Sequence, residues 1–218
     1  MSNLLKIPQS YWAPAILALC FAVRLAVLLL FGQHFDFQGD VVHGEGAYDV
    51  RAQNLLATGV LGLEAGQIDV EGSSVLYPVL LAGAYAIGGR TLMTISLLNL
   101  LFDLVTVWAI FQLGRRLFGK PEVGAFAGIF FALYPYMVFQ TLSVGYTSLL
   151  AMLLSLTALS FVVLRHRARI DGTLWVLVVA SGVCIGLLAL TRPPAVLIAF
   201  GGALWCLLQL GFWQSAVR

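Results

Sequence analysis

Apolar runs about as long as a bilayer is thick recur along this chain, and they constrain its fold more than any other feature. A helix rises ~1.5 Å per residue, so ~20 apolar residues cross ~30 Å of hydrocarbon. Tyr11–Phe31, Thr91–Leu113, Val123–Val138, Thr147–Leu164, Thr173–Leu190 and Ala195–Trp213 all read as such spans. Within hydrocarbon every backbone N–H and C=O must be satisfied internally, which leaves helices for segments of this kind. The expected fold is therefore an all-α integral membrane protein of about six transmembrane helices, one transmembrane domain over residues 1–218. With 61% of residues hydrophobic and only 10% charged, the chain falls well short of the ~25% charge of soluble domains. No basic patch interleaves with exposed aromatics, so nucleic acid is not an expected partner. Cys20, Cys184 and Cys206 sit inside apolar runs without metal or redox spacing and read as small apolar fillers. The first apolar run is long and interrupted by Arg24, which distinguishes it from a cleaved leader. Gly124, Ala125, Ala127 and Gly128 suit close helix contact in lipid.

One apolar stretch is too short to cross comfortably. Ser74–Gly88 opens on Tyr77-Pro78 and closes on Gly88-Gly89, as interfacial or re-entrant segments do. The distribution of basic residues separates the two topologies. With this stretch at the surface, Lys6, Arg115, Arg116, Lys120, Arg165, Arg167, Arg169 and Arg218 share one side, and Arg51, Arg90 and Arg192 the other. A crossing would move Arg115, Arg116, Lys120, Arg165, Arg167 and Arg169 outward. The positive-inside rule thus places both termini in the cytoplasm, in the plasma (inner) membrane. Residues 32–90 then form an outer loop with surface helices over 47–58 and 74–88. Gly59 is expected to end the first, whose apolar Ala47, Val50, Leu55 and Leu56 fall near one face.

Seven of the ten acids lie between Phe35 and Tyr77: Asp36, Asp40, Glu45, Asp49, Glu64, Asp69 and Glu71. Glu45, between Gly44 and Gly46, can bring a carboxylate close to a ligand and act as a general base; the plainer reading is a solvated loop acid. Asp40, His43 and Glu45 offer oxygen and imidazole donors suited to a divalent ion, the one candidate cofactor, although D-x-x-H-x-E matches no specific metal motif and also reads as a polar loop. Arg192, in L-T-R-P-P between two spans, suits a lipid phosphate or simply snorkels to the interface. Tyr48, Tyr77, Tyr134, Tyr136 and Tyr146 read first as an aromatic belt. Arg24 and Asp103 lie within spans, ~20 Å and ~15 Å from the cytoplasmic ends, so they are expected to pair.

The order of motifs resembles the N-terminal module of GT-C glycosyltransferases, among them the dolichyl-phosphate-mannose–protein mannosyltransferases and the lipid A aminoarabinose transferases. The residues that carry the resemblance are E-x-x-Y at Glu45–Tyr48, A-x-x-L-L-x-x-G at Ala52–Gly59, L-Y-P at Leu76–Pro78, G-R-R-L-F-G at Gly114–Gly119, Tyr134-Pro135 and A-L-T-R-P at Ala189–Pro193. The resemblance implies a polyprenyl-phosphate-sugar donor and an acceptor of unknown identity meeting at the outer face. It implies Glu45 and Asp40 as catalytic acids and Tyr48, Arg51, Tyr77 and Arg192 as substrate-binding residues. Gly44 stands where many relatives carry the acid, so Glu45 or Asp40 takes that place. Gly145, Tyr146 and Thr147 stand where many carry a second acid. Members of the family are usually at least twice as long. The chain is therefore expected to be a minimal member, a fragment, a subunit needing a partner or a second copy, or an inactive relative that binds a polyprenyl phosphate. A transporter is disfavoured by the lack of inverted repeats.

Overall fold

The computed structural model describes residues 11–34, 46–69, 74–165 and 172–195, with isolated positions between 197 and 204. Among them the chain is helical throughout, without a strand. Helix α1 covers Trp12–Phe31, α2 Gly46–Thr58, α3 Leu76–Gly88, α4 Leu92–Phe118, α5 Pro121–Leu133, α6 Pro135–Gln140, α7 Thr147–Arg165 and α8 Gly172–Thr191. By length and apolar character, Trp12–His34, Leu92–Phe118 and Thr147–Leu164 can each cross a membrane, while α3, α5 and Trp175–Thr191 are shorter apolar helices. The protein is an integral membrane protein. The expected span at Ala195–Trp213 lies largely outside the described residues.

Val123–Val138, read above as one span, is two helices. Pro135 has no N–H to give, and its ring would strike the carbonyl one turn earlier. The residue before a proline is pushed out of the helical region, and Tyr134 sits at φ −64°, ψ 114°. Helix α5 therefore stops after 13 residues, ~20 Å of rise. Gly59 does end α2: at φ +73°, which costs a glycine little, its N–H closes on the Leu55 carbonyl at 3.0 Å.

Helix α4 is the axis of the bundle, packed against α1, α3, α5 and α7; α8 packs on α7, and α2 on α3. It contributes to two apolar cores. Ile16 and Cys20 of α1, Val107 and Phe111 of α4, and Ala125 and Ala132 of α5 form one. Ala52, Tyr77, Leu81, Ile95, Leu149, Leu153 and Leu188, from α2, α3, α4, α7 and α8, belong to the other. Helices α4 and α5 cross at Gly114 and Gly124, where a Cβ on Gly114 would lie 2.5 Å from the Gly124 Cα.

The expected intramembrane pair is present. Arg24 Nε lies 2.5 Å from Asp103 Oδ2, both side chains fully enclosed. Arg24 Nη1 also donates to the Ala132 carbonyl at 2.9 Å, in the last turn of α5. A cation there meets carbonyls that the proline break leaves without helical donors.

Candidate functional site

One end of the bundle gathers segments that are far apart in sequence. The Val75 N–H donates to the Leu190 carbonyl at 2.9 Å, tying the start of α3 to the end of α8. The Tyr48 ring of α2 meets the Tyr77 ring of α3 edge-on at 5.8 Å and the Tyr146 ring, just before α7, at 5.7 Å. Phe31, which ends α1, meets Phe139 of α6 at 6.1 Å.

Arg192 completes this end. It follows α8 and precedes Pro193, so the helix has no donor with which to continue. Its own N–H closes on the Leu188 carbonyl at 2.8 Å, and its carbonyl accepts from Ala195 at 2.9 Å, which fixes the backbone on both sides. Nη1 donates to the Tyr146 hydroxyl at 2.9 Å, and the guanidinium carbon lies 5.7 Å from the Tyr146 ring centre. The residue is exposed, and among the described residues no carboxylate pairs with it. Arg24, Arg51 and Arg90 each hold an acid. Arg192 therefore retains charge and donors for an anion from outside the fold.

Helix α2 presents Tyr48 to this cluster. Its inward face is Tyr48, Asp49, Ala52 and Leu55, rather than the Ala47, Val50, Leu55 and Leu56 expected above: Val50 and Leu56 are exposed. The reason is electrostatic. Asp49, buried at 3%, accepts from the Tyr85 hydroxyl at 2.7 Å, from Arg90 Nη2 at 2.6 Å and from Gln53 Nε2 at 3.0 Å. With its charge met, that carboxylate shares the inner face with Tyr48, Ala52 and Leu55, while Val50 and Leu56 lie outside. Burial first, and then the bond to Asp49, push the Tyr85 phenol far above its ordinary value. Arg90's own hydrogen bonds to Asp49 hold its guanidinium above the ordinary arginine value.

Arg51 and Tyr77, candidates for substrate contact, are both enclosed. Arg51 is buried at 4% and its Nη2 pairs with Asp69 at 3.1 Å, holding the 59–69 segment together with Asn54, which donates to the Gly62 and Leu63 carbonyls. Tyr77 is fully buried beneath Tyr48, and its hydroxyl donates to Asn99 Oδ1 at 3.4 Å. Asp40, His43 and Glu45, the catalytic and metal candidates, lie outside the described residues. Among the described residues no three His, Cys, Asp or Glu gather as a metal site would require. Tyr134 and Tyr136 are exposed, with Tyr134 stacked on Phe130 at 6.0 Å. Beside them a groove of about 250 Å³ is lined by Phe126, Ile129, Phe130, Leu133, Tyr134 and Pro135, without a charged group to meet a phosphate.

Tyr146, Asp49, Arg90 and Asn99 were not singled out as site residues above. Asn99 carries a local signal, a polar amide in the middle of an apolar span. The Asp49–Arg90 pair spans 41 positions and carries none.

A helical membrane protein with an exposed guanidinium over clustered tyrosines at one end of its bundle has the donors to hold an anionic group there. Comparison with known families narrows this. Residues 73–217 match the dolichyl-phosphate-mannose-protein mannosyltransferase family, and the chain belongs to it, a family of GT-C glycosyltransferases. The match covers α3 through α8, including Tyr77, Tyr146 and Arg192, and begins after the acid-rich loop and α2. No curated protein and no solved structure matches the chain.

Proposed function

We propose that this chain transfers a sugar from a polyprenyl-phosphate-linked donor to an acceptor at the outer membrane face, with inversion at the anomeric carbon. The observation that carries the reading is Arg192, exposed, held by Tyr146 and joined to no acid among the described residues. It sits at the end of the bundle where α2 begins, and Glu45 directly precedes α2. In this reading six spans place both termini in the cytoplasm of the plasma membrane. Helices α2 and α3 lie along the outer surface of the one transmembrane domain.

The chemistry is a single displacement. A loop carboxylate, Glu45 or Asp40, takes the proton of the acceptor hydroxyl or amine as its lone pair attacks the anomeric carbon. The bond from that carbon to the phosphate oxygen breaks with its electron pair, and the polyprenyl phosphate leaves. Arg192 stabilises the charge growing on that phosphate by paired N–H donors. Tyr48 lines the approach with Tyr77 beneath it, while Arg51 anchors the 59–69 segment through Asp69. Asp40, His43 and Glu45 are the residues that would hold a divalent ion, and no step here is routed through one.

The test uses the full chain in nanodiscs with a polyprenyl-phosphate sugar and a panel of acceptors. Glu45→Gln or Asp40→Asn is expected to lower turnover by ~10²–10⁴-fold at the residue that acts as base. Arg192→Ala is expected to weaken both binding and transfer. Equal turnover by wild type, Glu45→Gln and Asp40→Asn would remove these acids from the mechanism. A second reading is a non-catalytic subunit, or an inactive relative, that binds the lipid alone. The start of the family match after the acid-bearing loop favours it. It predicts Arg192-dependent binding with no transfer to any acceptor.

A further inference from the structure

Helix α4 carries a line of buried polar side chains, Ser96, Asn99, Asp103 and Thr106, through the interior of the bundle. Asn99 has no exposed surface at all. An amide in such a place is destabilising unless its donors and its acceptor are met. Its Nδ2 donates to the Ser143 carbonyl at 2.9 Å and the Thr141 carbonyl at 3.3 Å, and its Oδ1 accepts from the Tyr77 hydroxyl at 3.4 Å. One turn further along α4, Asp103 Oδ2 accepts from the Thr141 hydroxyl at 3.1 Å.

Both carbonyls belong to the short connection between α6 and α7. That connection's own bonds are local: Leu142 N–H to Phe139, Ser143 N–H to Gln140, Gly145 N–H to the Ser143 carbonyl, and the Ser143 hydroxyl to Gln140. It ends at Tyr146, which receives Arg192 Nη1 and meets Tyr48. From the other direction, Asn99 holds the phenol of Tyr77, on which Tyr48 rests. One amide thus joins the two supports of the site, the connection that presents Tyr146 and the ring beneath Tyr48.

We infer that Asn99 is a positioning residue that sets the place of Tyr146, and through it the aim of Arg192 at an anionic lipid headgroup. The second half of this inference rests on the reading of Arg192 as the phosphate holder. The residue type follows from the geometry. A carboxyl at this position offers at most one donor, when protonated, where the amide offers two, and leucine would fill the space with no bond at all.

The test has two readouts on the full chain in nanodiscs. The first is amide exchange over residues 142–146, which reads the positioning without any ligand. Asn99→Leu is expected to raise it about tenfold, as loss of two hydrogen bonds would, and Asn99→Asp to raise it less, while α1 and α5 stay unchanged. The second is binding of polyprenyl phosphate by wild type, Asn99→Leu, Arg192→Ala and the double variant. Each single change is expected to weaken binding, and the double variant to bind no more weakly than Arg192→Ala, because both act through one contact. Unchanged exchange at 142–146, or single effects that multiply in the double variant, would overturn the inference. If Arg192→Ala binds as wild type does, the phosphate reading fails while the exchange data still decide the role of Asn99. Should Asn99→Leu not fold, Asn99→Ser serves in its place, since it removes the reach to both carbonyls with less cost to packing.

Discussion

Replacing Asp49 with alanine should release α2 from the bundle while leaving the spans intact. The Asp49 carboxylate is held by Tyr85 at 2.7 Å, Arg90 at 2.6 Å and Gln53 at 3.0 Å. Its removal leaves the Tyr85 hydroxyl enclosed without an acceptor, a cost of ~1–3 kcal/mol. Arg90, with 34% of its side chain exposed, can turn to water, so the ~3–5 kcal/mol of a broken buried pair is not reached. The combined loss is ~2–3 kcal/mol, which corresponds to a ~30- to 150-fold rise in exchange of the α2 amides. Asp49→Asn keeps an acceptor for Tyr85 and loses only the charge facing Arg90, so its effect is smaller, ~5-fold. Exchange mass spectrometry of the full chain in nanodiscs measures this, with peptides covering 46–58 compared against 147–165. A change under ~3-fold in α2, or equal loss of protection in α7, would refute the argument that this carboxylate holds the helix in place.

The Tyr85 phenol gives the same latch a pH dependence. Its value in the folded protein is raised above the ordinary ~10, so its contribution is complete below about pH 10 and lost as pH rises beyond it, where the released segment ionises first. Normalised α2 protection should therefore fall relative to α7 above pH 10, and Tyr85→Phe should abolish that difference. At the α4–α5 crossing, Gly114→Ala places a methyl 2.5 Å from the Gly124 Cα and forces the helices apart, at ~1–3 kcal/mol. Thermal unfolding in detergent should register this as a lower midpoint, and an unchanged midpoint would show that the crossing is looser than described. Arg24→Ala strands Asp103 in the interior and should cost ~3–5 kcal/mol, whereas the double change Arg24→Met with Asp103→Leu should recover part of it. Monodisperse yield on gel filtration separates these outcomes, and a double variant worse than Arg24→Ala would contradict the assignment of the pair.

Much of this protein can be read from local runs of residues. Long apolar segments in lipid have a single backbone solution, so α1, α4, α7 and α8 follow from hydropathy alone. Gly59 and the Gly88-Gly89 pair mark the ends of α2 and α3 because each local backbone needs what glycine allows. The Tyr134-Pro135 break was equally local, since proline lacks a donor wherever it sits; hydropathy passes over it because both sides of the break are apolar. Even Arg24–Asp103 was legible, because two opposite charges at similar depth in hydrocarbon have few other partners. The order of short motifs was enough to indicate the family. Which residues meet at the bundle end was a different matter. Nothing near Asp49 points to Arg90, nothing near Tyr146 to Arg192, and the two carbonyls that Asn99 holds are ordinary backbone. Lipid tails are as apolar as the helices they surround, so hydropathy favours no neighbour over another; packing between particular faces, and the need to satisfy a few buried polar groups together, decides which side chains come into contact.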